Sequence, residues 1–329
     1  MSPLAFLGHL DGAAMGAALA RIAWWQFALI CAVHGLSVIA DTLGWRATFA
    51  PGARPSWRRL FVAKCAGDAV NVVTALGVLG GEATKAWLLR REVPYATSVT
   101  SLLVTKTSLV LAQALLLALG IGLAWGTGAG NATLLGAMAV LLLVEVVGIG
   151  GFLLVQLTGL LGRTGRLLAW VGAGRLAAAG QLEAALRGFY GREWRSFVVA
   201  TGFHFVGWLI GALEGLLVLR TLGVSASLST ATVIEALGSG VRFATFFVPA
   251  SLGTLEGANA AAFTAFGWAA AAGLAFSLVR RARQIVWIGI GLVTLVAMDA
   301  PQFLARRREA RAARIAGAGV PIPAVPTGR

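Results

Sequence analysis

The chain has 329 residues, of which 58% are hydrophobic and only 12% charged, with a mean hydropathy of +0.83. Soluble domains carry about 25% charged residues, so this balance excludes a mainly soluble protein and implies a polytopic helical membrane protein. The formal net charge of +14 does not point to nucleic acid, because most arginines sit between or just after apolar runs, as the positive-inside rule requires.

Met1 to Ala20 lacks a basic start before an apolar core and is interrupted by His9 and Asp11. It reads as an interfacial helix, or as the remnant of one beginning further upstream, rather than as a cleaved signal. Residues 22–44 form the first span, with Trp24 and Trp25 at one headgroup boundary and Trp45 at the other. His34 and Asp41 are seven residues apart on that helix and share a face. They line a cavity, or Asp41 simply marks the membrane surface. Arg46, Arg54, Arg58 and Arg59, with the breakers Pro51 and Pro55, make a basic cytoplasmic loop.

A re-entrant segment is expected over about 60–82. It is apolar, yet contains Lys64, Asp68 and Asn71, then a break at Gly77, Gly80 and Gly81 before Glu82. Lys64 and Asp68, at i and i+4, can pair on one helix face. Lys85, Arg90 and Arg91 form a second basic patch. With both patches cytoplasmic, the segment enters and leaves on the same side. Pro94 opens a helix over 94–125, with Lys106 near its middle, facing a cavity or lying nearer an interface. Residues 132–158 span again, with Glu145 as an internal partner for a base. Residues 160–192 alternate leucines with Arg163, Arg166, Arg175 and Arg187 and predict amphipathic helices in the cytoplasmic interface. The span over 194–219 carries His204, Trp208 and Glu214.

The second broken segment, about 230–260, is the stretch around which the chain is organised. Glu235, Arg242 and Glu256 stand among apolar residues, with Pro249, Gly253 and Gly257 as breaks. Charges there need partners or a polar cavity, and irregular backbone is tolerable only where protein or water covers it. A helix over 258–279 around Trp268 should follow. Arg280, Arg281 and Arg283 then cap a short helix at the interface or project into the cavity, and residues 285–298 resume the apolar run. Arg306, Arg307 and Arg308 place the C-terminus in the cytoplasm, and 301–329 reads as a basic, disordered tail.

The sequence thus predicts an all-α, polytopic membrane protein forming one transmembrane domain. Its first half (1–159) and second half (193–300) each hold a broken segment, in the manner of an inverted repeat, and 160–192 divides them. Asn71, Gly81, Glu82, Ala83, Ala86, Leu88 and Leu89 form an N-x(9)-G-E-A-x-x-A-x-L-L block. Phe246, Pro249, Gly253, Glu256 and Gly257 form F-x-x-P-x-x-x-G-x-x-E-G. In these blocks the chain resembles the flippase-like integral membrane family, the transmembrane domain of lysylphosphatidylglycerol synthases and its stand-alone relatives, over roughly residues 20–300. It departs at Leu76 and Lys85, where that family often carries proline and arginine. The basic W-R-R-L-F entry and the arginine-rich tail resemble the branch found beside hopanoid synthesis.

No enzyme signature, cofactor motif or metal-ligand spacing is present: His9, His34 and His204 are scattered, and Cys31 and Cys65 sit in apolar runs where packing is their expected role. The residues expected to line a polar, lipid-open cavity are Glu256, Arg242, Glu82, Asp68, Glu235, Asn71 and Lys106. The resemblance implies translocation of a lipid, a hopanoid or an anionic or aminoacylated phospholipid, between leaflets of the bacterial inner membrane. Its expected partners are membrane lipids, or a lipid-synthesis enzyme for which the chain is a scaffold. A secondary transporter for a small solute is the other alternative.

Overall fold

The computed structural model describes residues 20–74, 77–128, 131–158 and 173–317. These are all-α, with no strand among the described residues. The ten helices are α1 (Trp24–Ala47), α2 (Trp57–Val73), α3 (Gly77–Leu89), α4 (Tyr95–Thr127), α5 (Ala132–Thr158), α6 (Ala173–Arg192), α7 (Trp194–Thr221), α8 (Leu228–Ala244), α9 (Thr254–Ala265) and α10 (Ala270–Gly317). Short 3-10 turns occupy Pro51–Ala53 and Pro249–Ser251. Four helices, α1, α4, α5 and α7, are long and apolar enough to cross a membrane, so the chain is a multi-pass membrane protein. At a rise of 1.5 Å per residue, even 20 residues cover the roughly 30 Å hydrocarbon core.

Local chemistry sets the helix ends. Ser56 Oγ accepts from Arg59 N at the start of α2, and Ser227 Oγ accepts from Thr230 N at the start of α8. Asn131 Oδ1 does the same for Leu134 N at the start of α5. Each satisfies a backbone donor that has no partner within the helix. Pro94 occupies the N-cap of α4. Gly128 (φ 62°) closes α4 in the left-handed region, where a side chain would be strained.

Each expected broken segment holds a pair of helices. The first is α2 and α3, which pack on each other; the second is α8 and α9, joined by the Pro249–Ser251 turn. Helix α7 packs broadly on α1, and α10 packs on α2 and α9. Three apolar clusters hold the bundle. Ile30, Leu219, Phe263 and Phe276 join α1, α7, α9 and α10. Trp45, Leu60, Leu89 and Leu102 join α1 to α4. Leu117, Met138, Val233 and Ala262 join α4, α5, α8 and α9.

Several expectations are corrected. Trp45 is not a headgroup anchor: it is 2% exposed, and its indole Nε1 donates to Ser101 Oγ at 2.9 Å. The helix expected over 258–279 is two, because Gly267 adopts φ 76° and the chain turns there; α10 then runs through Arg280, Arg281 and Arg283 without interruption. The segment 301–317 is helical rather than disordered, consistent with its run of alanine, arginine and glutamate, all strong helix formers. Residues 318–329 lie outside the described residues, as do 1–19 and 159–172, so the first part of the expected interfacial segment is not described. Its remainder, α6, buries Leu186 completely and packs on α4 and α5.

Glycine lets charged helices approach closely. A Cβ on Gly291 of α10 would lie 2.2 Å from the Cys65 carbonyl oxygen of α2, whereas Gly289 meets nothing within 4 Å. Gly291→Ala is therefore expected to destabilise the protein by about 1–3 kcal/mol through overpacking, and Gly289→Ala to leave it unchanged or slightly more stable. Thermal denaturation of both variants in detergent micelles checks the contrast.

Candidate functional site

A cavity of about 550 Å³ lies between α1, α2, α7, α8, α9 and α10. Its walls carry Asp41 from α1, Asp68 and Asn71 from α2, Glu214 from α7, Glu235 and Arg242 from α8, and Arg280, Arg281 and Arg283 from α10. Two ion-pair networks border it.

The first joins α1, α2, α3, α4 and α7. Lys64 Nζ lies 3.0 Å from Asp68 Oδ2 and 3.4 Å from Asp41 Oδ2. Lys85 Nζ lies 2.8 Å from Asp68 Oδ1 and 3.0 Å from Glu82 Oε1. Lys106 of α4 reaches Glu82 Oε1 at 2.8 Å. His204 Nδ1 of α7 closes on Asp41 Oδ1 at 2.9 Å. Three lysines therefore face three carboxylates. Close backbone approach makes this possible: a Cβ on Gly81 would lie 2.2 Å from Gly67 O and 2.0 Å from Asn71 Oδ1.

The second network joins α1, α7, α8, α9 and α10. Glu235 accepts from Arg242 Nη2 at 2.9 Å and from Arg280 Nη1. Glu214, fully buried, lies 3.5 Å from Arg280 Nε and accepts from Arg283 Nη1 at 2.6 Å. His34 Nδ1 meets both Glu214 Oε2 and Arg283 Nη1. One nitrogen cannot donate to the first and accept from the second, so the tautomer selects one bond. Arg281 turns the other way. Its Nε donates to Glu256 Oε1 at 2.8 Å, and its Nη1 donates to Ala250 O at 2.8 Å. Glu256 Oε2 also accepts from Gly253 N at 2.8 Å, capping α9. Thus Arg281 holds a turn in which Ala250 (φ 51°), Ser251 (φ 49°) and Gly253 (φ 79°) all occupy the left-handed region.

Of the residues expected in the cavity, Asp68, Asn71, Glu235 and Arg242 line it. Glu82 and Lys106 stand behind Asp68, tied to it through Lys85, and Glu256 reaches the wall only through Arg281. Pro249 and Gly253 lie at the turn as expected, but the other expected breaks are helical: Gly257 lies in the first turn of α9, and Gly77, Gly80 and Gly81 in the first turns of α3. Lys85 is not part of a cytoplasmic patch: it is 5% exposed, and its spacing of three from Glu82 was the available signal. Glu214 was unassigned, although a lone acid in an apolar span calls for a partner; Arg280, Arg281 and Arg283 line the cavity, one of the two places the sequence allowed them. Glu145 has no base as its partner among the described residues. Its Oε1 accepts from Gln113 Nε2 at 2.6 Å, and the same nitrogen donates to Ser239 O at 2.7 Å.

The sharing of carboxylates makes the network asymmetric. Glu235→Gln removes the counter-charge of two arginines and is expected to cost about 3–5 kcal/mol, as breaking a buried pair does. Arg242→Gln leaves Glu235 with Arg280 and is expected to cost less than half as much. Denaturation of both variants in the same detergent measures the difference.

Compared with known proteins, the chain matches the family model described as the lysylphosphatidylglycerol synthase TM region over residues 3–292. No curated protein and no solved structure matches it. The matched region contains both broken helix pairs and every charged group of the two networks, and the chain belongs to the lysylphosphatidylglycerol synthase transmembrane family.

Proposed function

We propose that this protein moves a lipid between the leaflets of the bacterial inner membrane, with its headgroup passing through the charged cavity and its tails remaining in lipid. The carrying observation is the composition of the cavity edge. Phe246 lines the cavity yet is 76% exposed, and Phe247 and Leu252 beside it are 72% and 61% exposed. A chamber for a small solute needs no apolar, exposed mouth; a lipid headgroup with attached chains does. The dense but mutually paired charges inside can exchange their partners for a headgroup without leaving bare ions in hydrocarbon. Membership of a family named for lysylphosphatidylglycerol synthase supports lipid handling. The cargo is a hopanoid or an anionic or aminoacylated phospholipid. On this reading the chain modifies no lipid itself, needs no cofactor, has its C-terminus in the cytoplasm and receives its cargo from a lipid-synthesis enzyme.

Labelled phosphatidylglycerol, its aminoacylated form and a hopanoid, each in liposomes holding the purified protein, test this reading. Transfer of one class is expected. Glu256→Gln keeps an acceptor for Gly253 N but weakens the hold on Arg281, and is expected to slow transfer roughly tenfold or more, about 1.4 kcal/mol in barrier. Negligible transfer of all three by folded protein would overturn autonomous translocation of these lipids and favour a solute carrier or a scaffold.

A further inference from the structure

The second network is a chain in which guanidinium and carboxylate alternate: Arg242, Glu235, Arg280, Glu214, Arg283. Three positive groups share two negative ones. The neighbouring charges cancel, since Asp41, Asp68 and Glu82 face Lys64, Lys85 and Lys106, and Glu256 faces Arg281. With His34 and His204 counted as neutral, one positive charge of this chain remains without a paired carboxylate; a proton on either imidazole would only enlarge the excess, and Glu145, a further buried acid, is held by Gln113 and pairs with none of these arginines. An uncompensated guanidinium at membrane depth is costly, and the protein keeps this one at a cavity wall.

Arg242 is where the excess is accessible. Its side chain is 30% exposed, against 13% for Arg280 and 11% for Arg283. Its guanidinium carbon lies 5.4 Å from the centroid of the Trp208 ring, within cation–π range. Two further cavity-lining residues keep a buried N–H with no partner among the described residues: Nε of Arg283 and Nε1 of Trp208. An excess positive charge on an exposed guanidinium, among cavity-lining residues that still carry unpaired N–H groups, describes a receptor for oxygen-bearing anions.

We propose that Arg242, with Trp208, Arg280 and Arg283, forms a binding subsite for a singly charged oxyanion, the chemistry of a phosphodiester. Its single negative charge closes the account left open by the alternating chain. That the phosphodiester belongs to a lipid headgroup rests on the translocation reading; the subsite itself does not.

The test is equilibrium binding to the full chain in detergent micelles, with dioleoylphosphatidylglycerol, dioleoylglycerol and inorganic phosphate as probes. The first two share their acyl chains and differ by the phosphodiester and its glycerol. Wild type is expected to bind the phospholipid roughly tenfold or more tighter than the diacylglycerol. Arg242→Gln should bring the two to within about twofold, while folding is retained because Glu235 keeps Arg280. Arg242→Lys, which keeps the charge but loses the fork, should retain part of the preference. Trp208→Phe leaves every ion pair in place and should weaken phospholipid binding by roughly two- to tenfold. Competition by inorganic phosphate alone would assign the subsite to a free oxyanion, and its absence to the headgroup; either upholds the subsite. Equal binding of phospholipid and diacylglycerol by folded wild type would overturn it, as would an undiminished preference in both Arg242→Gln and Trp208→Phe. Protein that passes this test yet transfers no lipid in liposomes keeps the subsite and loses the translocation reading.

Discussion

The structure depends on one constraint: a charge held among apolar helices must find an opposite charge. Almost every buried ionisable group of the bundle meets it by sharing. Asp68 serves two lysines, Glu235 serves two arginines, and Glu214 stands between Arg280 and Arg283. Sharing lets a few carboxylates hold many helices. The helices that carry these groups are not, for the most part, the four most apolar ones. Those, and α5 above all with its outward valines and leucines, provide the frame against lipid.

Small residues are the other half of the arrangement. Lysine and arginine reach far, but aspartate does not, so the backbones bearing Asp68 and Glu82 have to lie close. Gly67 and Gly81 meet where α2 and α3 pack, and Gly44 leaves room for the His204 ring beside Asp41. In membranes, helix association gains from such contact because apolar side chains alone have little reason to leave lipid. The glycine content of this sequence is thus partly a condition for its ion pairs.

Much of the helix frame was legible in the sequence, since long apolar runs leave few alternatives to membrane helices. The second break was visible too, because Pro249 and Gly253 interrupted a run that also carried acid residues; the first was placed on Gly77, Gly80 and Gly81, which lie within α3. The pairings between distant elements were not visible. Lys64 with Asp68 follows from helical spacing, but Lys64 with Asp41, or Arg283 with Glu214, depends on how helices far apart in sequence are placed side by side. Lys85 misled because a basic residue near other basic residues resembles a loop flank; only the fold shows it turned inward between two carboxylates. Trp45 misled similarly, since its indole N–H suits a headgroup boundary and a buried serine equally well. The turn at Gly267 was hidden because glycines are frequent throughout the chain and few of them adopt positive φ.

The four residues from Arg280 to Arg283 occupy about one turn of α10, yet they fasten that turn to His34 of α1, Glu214 of α7, Glu235 of α8, Glu256 of α9 and the carbonyls of the Ala250–Ser251 turn. Such a hub has no small displacement available to it. Sliding α10 by a fraction of a turn would unseat every attachment at once, and each freed group would face hydrocarbon until it found another partner. Whatever motion this bundle undergoes must therefore leave α10 in register with its neighbours, or else carry it from one complete set of partners to another in a single step.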